Sequence, residues 1–169
     1  CTYCKDIEDQ GKGSDRQQML AIPNQFPKEL LSNPKATTVT PKILEVFLND
    51  TCNMKCTYCN TRDSSQWKAE ARKFGPLKYL SGDPVTGTET VAKHKLHSFF
   101  FKKTLEYIEK NGNELTRLHL LGGETFYQNE LQEVLESLST LKNRNLELNI
   151  ISNCMVEEDK FNSIIEKIK

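Results

Sequence analysis

Three cysteines lie close together in the segment NDTCNMKCTYCN, at Cys52, Cys56 and Cys59. A structural zinc site usually takes four ligands, and the cluster of a ferredoxin is held by four cysteine thiolates. This loop supplies only three thiolates, and the next cysteine along the chain is the distant Cys154. A 4Fe-4S cluster held by three thiolates keeps one iron open, where a substrate or cofactor can bind. The spacing therefore indicates a catalytic cluster more than a closed structural site.

The cysteine loop directly follows a predicted strand, and two further polar segments occupy the same position after later strands. The strands are predicted from short, mostly apolar runs, over 42–49, 116–121 and 146–151. The segments that follow them are the cysteine loop, Gly122-Gly123-Glu124 and Ser152-Asn153. Sites in parallel α/β folds are built at the carboxyl ends of strands, so we expect the three segments to meet on one face.

Helices are predicted between and after these strands, from capping residues and apolar residues at helical spacing. They are expected near 64–73, 93–110, 129–141 and 157–168, with a long loop over 76–91. The second helix carries Leu96, Phe99, Phe100, Leu105 and Ile108, and its Phe99–Phe101 stripe is expected to lie in the core. Alternating strands and helices predict an α/β fold with a parallel sheet and right-handed crossovers. Since so few units cannot close an eight-stranded barrel, we predict half of a partial TIM-type barrel.

Residues 1–41 differ in character from the rest of the chain. They are polar and contain scattered glycines and prolines, which predicts a loop-rich N-terminal arm with one short helix near 14–20. The chain thus divides into this arm, with its cysteine pair Cys1 and Cys4, and an α/β region over 42–169. We expect the sequence to be part of a longer protein that carries the C-terminal part of the barrel, because it begins at Cys1 and ends within a helical pattern.

The composition favours a globular protein without a nucleic-acid or membrane partner. Of the 169 residues, 37% are hydrophobic and 27% are charged, and the 23 basic residues balance 23 acidic ones. A nucleic-acid binder would show a basic excess, and a membrane span would need about 18 consecutive apolar residues. The six cysteines are distributed unevenly through a chain of strands and helices. That distribution favours reduced cytoplasmic thiols over a disulfide scaffold.

The cysteine spacing, with the aromatic Tyr58 before the last cysteine, resembles the signature of radical S-adenosylmethionine (SAM) enzymes. The segment Gly122-Gly123-Glu124 is similar to the Gly-Gly-Glu-Pro motif of that family, and Ser152-Asn153 resembles its Thr-Asn-Gly segment. The likeness covers residues 42–169, with the segments in the family's order. It implies the partial TIM-type barrel predicted above.

The resemblance also implies a reaction. Cys52, Cys56 and Cys59 would bind three irons of a 4Fe-4S cluster, and SAM would chelate the fourth. One electron from the reduced cluster would cleave SAM and give a 5′-deoxyadenosyl radical, which abstracts hydrogen from a substrate. A flavodoxin or ferredoxin would supply the electron, and the substrate would be a peptide or small molecule. No residue of this chain is assigned as catalytic.

The family assigns further residues to SAM itself. Tyr58 would lie beside the adenine, and Ser152-Asn153 would form part of the SAM site. Glu124 and the Gly122–Gly123 backbone would meet the SAM ammonium group. A carboxylate in that position can accept a charge-assisted hydrogen bond.

Some residues depart from the family pattern, and the N-terminal arm carries a likeness of its own. Thr125 stands where the family has proline, and Cys154 stands where glycine is usual. The arm segment CTYCKDIEDQGKGSDRQ is similar to segments that precede the barrel in radical SAM proteins with a twitch domain. Such domains often hold an auxiliary cluster, for which Cys1 and Cys4 would be two possible ligands.

Other interpretations of the cysteine motif remain open. The chain could be a non-enzymatic iron–sulfur module that carries electrons. It could also be a structural zinc module completed by His94, His97 or His119. Zinc would leave the Gly-Gly-Glu segment unexplained.

Several of the remaining residues have structural alternatives as well. Glu124 could be a surface acid at a helix start, Gly122-Gly123 a plain turn, and Ser152-Asn153 a cap of the last helix. Tyr58 could pack against the barrel mouth, and Cys154 is predicted to be a small buried residue. Trp67 and Arg72 are interpreted as packing and surface residues of the helix after the cysteine loop.

Overall fold

The structure is a computed structural model. It describes residues 2–22, 32–33, 35, 38–75, 77–78, 84–85 and 91–168. For residues 77–78, 84–85 and 91–95 it describes the backbone only. Cys1 and most of the predicted 76–91 loop therefore lie outside the described residues.

The described part of the chain contains a parallel sheet of three strands and a small antiparallel pair. The strands are β1 (Ile43–Phe47), β2 (Leu77–Lys78), β3 (Pro84–Val85), β4 (Arg117–Leu121) and β5 (Glu147–Ile150). The parallel sheet has the order β1-β4-β5, and the short strands β2 and β3 pair with each other. Val46 is paired with Leu120, and Leu120 with Ile150. The predicted parallel sheet is confirmed, and all three long strands end on the same edge.

Six α-helices are described, and those that follow β1 alternate with the strands of the parallel sheet in the predicted order. They are α1 (Thr2–Asp9), α2 (Asp15–Ala21), α3 (Ser65–Phe74), α4 (Val91–Asn111), α5 (Glu130–Ser139) and α6 (Glu158–Ile168). Short 3-10 turns cover Gly112–Glu114 and Thr125–Tyr127. The last five helices were predicted to within a few residues. Helix α1 was not predicted, because its sequence has no apolar stripe long enough to distinguish it from a polar arm.

Helix α3 begins and ends where its sequence predicts. Ser64 is the N-cap, and its hydroxyl accepts a hydrogen bond from the Trp67 amide. At the other end Gly75 has a φ of 92°, which a residue with a side chain adopts only at a cost. The helix therefore has fixed ends, and its first residues come directly after the cysteine loop.

The core lies on one face of the parallel sheet. Leu118 and Leu120 of β4 are fully buried there, against Ile108 of α4, Leu131 of α5 and Ile164 of α6. The alternate residues of the strands point the other way, as the two-residue period of a strand requires. Among them Phe47 is 45% exposed. Helices α4, α5 and α6 thus share one apolar layer behind the sheet.

The prediction that the Phe99–Phe101 stripe of helix α4 lies in the core holds for Phe101 and is wrong for Phe99 and Phe100. Leu96, Phe99 and Phe100 are each more than half exposed, whereas Phe101 packs against the core and Ile108 is fully buried. Apolar residues lie all around this helix, so the sequence does not single out one stripe. The face that packs follows the 3.6-residue period through Phe101 and Ile108.

The two helices of the N-terminal arm are joined by a polar contact. The Glu8 carboxylate accepts hydrogen bonds from the buried Ser14 hydroxyl and from the Arg16 guanidinium. The bond from Arg16, followed by that from Ser14, lowers the pKa of Glu8 below its ordinary value. Cys4, on α1, is a half-buried reduced thiol. Its predicted partner Cys1 is not among the described residues.

Over the described residues, none of the helices combines the length and the apolar character needed to cross a membrane.

Shortening a core leucine tests this packing. We expect Leu120→Ala to lower the free energy of unfolding by about 2–5 kcal/mol, because it leaves a cavity between the sheet and its helices. Urea unfolding followed by circular dichroism measures the change. The matched control is Leu96→Ala on helix α4, where the side chain is 54% exposed. The control should change stability by no more than about 0.5 kcal/mol. Equal effects of the two substitutions would contradict the assigned core.

Candidate functional site

The three clustered cysteines lie on an irregular loop that begins just beyond the carboxyl end of β1. Cys52, Cys56 and Cys59 are reduced, half-buried thiols. Within the loop, the Cys59 amide donates to the Cys56 carbonyl at 3.0 Å. The Met54 amide lies 3.4 Å from the Cys52 sulfur as a hydrogen-bond donor. This last contact is an amide-to-sulfur bond of the kind that stabilises a thiolate.

Helix α3 holds the cysteine loop through the residues of its first turn. The Ser65 hydroxyl accepts from the Cys52 amide at 3.0 Å and donates to the Cys52 carbonyl at 3.3 Å. The Trp67 indole donates to the Cys56 carbonyl at 2.9 Å. The Ser64 hydroxyl donates to the Met54 carbonyl. Trp67 therefore does more than pack, since it fixes the backbone beside a cysteine.

An ion pair between a buried lysine and a half-buried aspartate lies at the start of the loop. Lys68 of α3 is 7% exposed, and its ammonium group donates to the Asp50 carboxylate. The Asp50 carbonyl also accepts from the Ser65 amide at 2.7 Å. Removing one partner of such a pair would leave an uncompensated buried charge. The pair therefore ties β1 to α3 on either side of the cysteines.

The predicted Gly-Gly-Glu segment meets the start of the cysteine loop directly. The Gly123 amide donates to the Asn49 carbonyl at 2.9 Å, and the Glu124 amide donates to the Thr51 carbonyl at 2.8 Å. A Cβ atom on Gly123 would lie 2.5 Å from the Asp50 carbonyl oxygen. Only glycine allows the two backbones to come so close. The glycines are therefore more than a plain turn.

Glu124 is buried between three loops. Its side chain is 1% exposed, and its carboxylate accepts from the Phe126 amide at 3.0 Å and from the Asn153 amide at 2.7 Å. The Ser152 hydroxyl donates to the same carboxylate. The alternative for Glu124 is right that this acid caps a helix start, here a short 3-10 turn, and wrong that it lies on the surface. These donors are protein groups that connect β4 with the segment after β5.

The third segment bonds to both of the others. The Asn153 side-chain amide donates to the Asn53 side-chain oxygen at 3.1 Å, and Asn53 donates to the Met155 carbonyl at 2.5 Å. The interpretation of Ser152-Asn153 as a cap of α6 is wrong, since these residues bond to Glu124 and to the cysteine loop. The expected convergence of the three segments on one edge is thus observed.

Cys154 is exposed, which corrects the prediction that it is buried. Its φ of 58° lies in the left-handed region, which is uncommon for a residue with a side chain. Its amide donates to the Ser152 hydroxyl at 2.9 Å. The turn after Asn153 therefore has the backbone shape that suits the glycine usual in the family, with cysteine in its place.

The thiols of the loop influence one another electrically. Burial raises the pKa of Cys59, and the Asp63 carboxylate and the Cys52 and Cys56 thiolates raise it further. The adjoining Tyr58 is 90% exposed, and its pKa is raised first by hydrogen bonding to Cys56 and then by the charge of that thiolate. Negative charge on this loop is unfavourable until a cation offsets it.

The donor set fits an iron–sulfur cluster in number and kind, because three thiols come from one loop. As the side chains stand, no group of three or more His, Cys, Asp or Glu among the described residues is gathered around a metal position. The Thr61 hydroxyl, two residues after Cys59, is buried and has no hydrogen-bond partner within the described chain. Buried hydroxyls usually have a partner. Within the part of the chain that the structure describes, Thr61 is therefore an unsatisfied buried polar group beside the cysteine loop.

The histidines give little support to a zinc site. The His97 ring meets the Leu48 carbonyl through Nε2, so that nitrogen is engaged with the backbone. His119 is on β4, paired with Glu45 and Asn149 in the middle of the sheet rather than at the cysteine edge. The side chain of His94 is outside the described residues.

Comparison with models of protein families, with curated proteins and with solved structures finds no match to this chain. Its function is therefore inferred from its residues and their geometry.

The buried carboxylate can be tested by a change of one atom. Glu124→Gln replaces an acceptor oxygen by an amide nitrogen that faces N–H and O–H donors. We expect the free energy of unfolding to fall by about 1.5–3 kcal/mol, the usual contribution of a hydrogen bond to a charged group. Urea unfolding measures the loss. The exposed Glu133→Gln on α5 is the matched control and should change little. Unchanged stability of Glu124→Gln would mean that the carboxylate does not hold the loops.

Proposed function

We propose that this protein is a radical SAM enzyme that binds a 4Fe-4S cluster through Cys52, Cys56 and Cys59. The observation that carries the proposal is the joining of three segments at one sheet edge. The loop with three reduced thiols is bonded to the Gly-Gly-Glu segment by two backbone hydrogen bonds and to Ser152-Asn153 through Asn53. A cluster bound by three thiolates leaves one iron for the amine and carboxylate of SAM.

The chain's own groups divide the work of holding SAM. The amides of Gly123 and Glu124 are used by the cysteine loop, whereas the carbonyl oxygens of Gly122 and Gly123 accept no hydrogen bond from the described residues. Those oxygens are suited to receive the SAM ammonium group. Glu124 would then act by holding the segment in place, since its carboxylate is already engaged. The ring of Tyr58, exposed on the loop, would cover the adenine.

Bound together, the reduced cluster and SAM supply a radical that abstracts a hydrogen atom from a substrate. The protein's part is to hold both groups and to exclude water. A flavodoxin or ferredoxin would deliver the electron to the cluster. The substrate is proposed to be a peptide or small molecule, and Cys4 with Cys1 would supply two ligands to an auxiliary metal site.

The sheet would be the first part of a partial TIM-type barrel. Helices α4, α5 and α6 contribute to one apolar layer on a single face, as the outer helices of such a barrel do. The opposite face carries Glu45, His119 and Asn149 side by side on three strands. In a barrel these residues would point to the interior, below the edge where the cysteines lie.

Cluster binding is tested by anaerobic reconstitution of the chain followed by iron and sulfide analysis. We expect about four irons and four sulfides per chain and an oxygen-labile product. Replacing Cys52, Cys56 and Cys59 together by alanine should abolish binding, whereas Cys154→Ala should keep it. A triple variant that retained its cluster would disprove the ligand assignment. Zinc without sulfide in the wild-type chain would favour the structural zinc module.

SAM binding is tested on the reduced cluster by electron paramagnetic resonance. Coordination of the open iron by SAM should change the spectrum, because the ligands of that iron change. S-adenosylhomocysteine, which lacks the sulfonium, is the control for cleavage and should not yield 5′-deoxyadenosine. If SAM left the spectrum of the reduced cluster unchanged, the result would favour an electron-transfer module.

A further inference from the structure

Gln128 lies at the start of the cysteine loop, although sequence patterns did not single it out. Its side chain is 2% exposed and accepts a hydrogen bond from the Asn49 amide at 3.0 Å. Its amide nitrogen donates to the Asn49 carbonyl at 2.8 Å and to the Thr51 carbonyl at 3.3 Å. The Gln128 side chain thus bonds to both the amide and the carbonyl of Asn49, and also to the carbonyl of Thr51.

This contact continues the sheet after its ladder stops. The last ladder-like bond runs from the Leu48 amide to the Leu121 carbonyl at 2.8 Å. At Asn49 the carboxamide of Gln128 accepts from the amide as a neighbouring strand would, and it shares the carbonyl with the Gly123 amide. The backbone is therefore fixed up to Thr51, the residue before Cys52.

Gly122 makes room for this carboxamide. A Cβ atom on Gly122 would lie 2.3 Å from the Gln128 amide nitrogen and 2.9 Å from the Asn49 carbonyl oxygen. Gly122 is not among the residues with positive φ, so its backbone shape alone does not require glycine. Glycine is required at this position because Gln128 and Asn49 occupy the space that a side chain would need. The first glycine of the pair and Gln128 thus act as one unit.

We propose that Gln128, accommodated by Gly122, is a positioning residue that fixes Cys52 for cluster binding. It touches no ligand in this scheme and acts through the backbone of residues 49–51. The effect of Gln128 on cluster binding rests on the proposed function, whereas its effect on the backbone of residues 49–51 does not. The two parts can therefore be tested separately.

The first experiment measures thiol alkylation in the metal-free chain. Trypsin would release Cys52 in the peptide 43–55, separate from Cys56 and Cys59 in 56–62 and from Cys154 in 145–160. In Gln128→Met, the rate of Cys52 alkylation should rise about tenfold relative to Cys154, since the Asn49 amide loses its acceptor and the Asn49 and Thr51 carbonyls each lose one of two donors. Gln128→Glu should act similarly, because a carboxylate cannot donate to the two carbonyls.

Two further variants sharpen this experiment. Gln132→Met makes the same substitution on helix α5, where the side chain bonds to Lys167, and should leave the Cys52 rate unchanged. Gly122→Ala should raise the Cys52 rate as Gln128→Met does. When Gly122→Ala is added to Gln128→Ala, the further rise in the Cys52 alkylation rate should be smaller than the rise that Gly122→Ala causes alone, because both changes break the same contact. A general loss of stability would instead raise the alkylation rates of Cys154 and Cys52 together.

The second experiment reconstitutes the cluster in the same variants. Gln128→Met should hold less iron per chain than Gln132→Met and should show a broadened spectrum of the reduced cluster. If wild-type chain took up no cluster, the proposed function would fail while the alkylation result still stood. If the relative Cys52 rate were the same in Gln128→Met and wild type, the positioning role would be overturned whatever the cluster did.

Discussion

The parallel ladder ends before the cysteine loop begins, and the polar groups beyond its end must be satisfied by other means. Beyond Leu48 and Leu121 the regular ladder between β1 and β4 gives way to irregular backbone hydrogen bonds, and each buried amide or carbonyl left without a partner would cost about 1–3 kcal/mol. The segment from Gly122 to Gln128 meets this requirement. Its backbone and two buried side chains, Glu124 and Gln128, supply partners to the loops on either side.

This arrangement couples the loops at the carboxyl edge of the sheet. Glu124 bonds to the segment after β5 and Gln128 bonds to the cysteine loop, so we expect a displacement of the Gly122–Gln128 segment to affect both loops. Satisfied buried networks are rigid, whereas the loss of one member exposes the remaining groups to an unmet desolvation cost. The cysteine loop itself has no regular secondary structure. Its order comes from this segment on one side and from Ser65 and Trp67 of α3 on the other.

The elements of the fold were predictable because their signals are local. Strands β1, β4 and β5 are short apolar runs, and α3 has Ser64 and Gly75 at its ends. That their carboxyl ends meet follows from parallel topology, so the convergence of the three polar segments could also be predicted. Which side chains bond across that edge could not. Partners such as Glu124 and Asn153 are far apart in sequence, and a loop's path decides whether a carboxylate faces a ligand or a neighbouring amide.

Other misses have the same physical origin. Gln128 stands between a 3-10 turn and α5, where a glutamine usually faces solvent, and only its burial beside Gly122 reveals its role. Phe99 and Phe100 are as apolar as Phe101, so composition cannot say which of them packs. The sequence offers no signal for Gln128 beyond its place a few residues after a glycine pair, which leaves space for a neighbouring side chain.

Charge around the cysteine loop bears on the proposed cluster. Burial, the Asp63 carboxylate and the neighbouring thiolates raise the pKa of Cys59 above its ordinary value. Nearby cations are already paired with carboxylates, Lys55 with Glu70, Arg62 with Asp63 and Lys68 with Asp50. They neutralise the surroundings of the loop without offsetting the thiolates. Iron ions would supply the missing positive charge and displace the thiol protons, so cluster binding and loop closure would occur together.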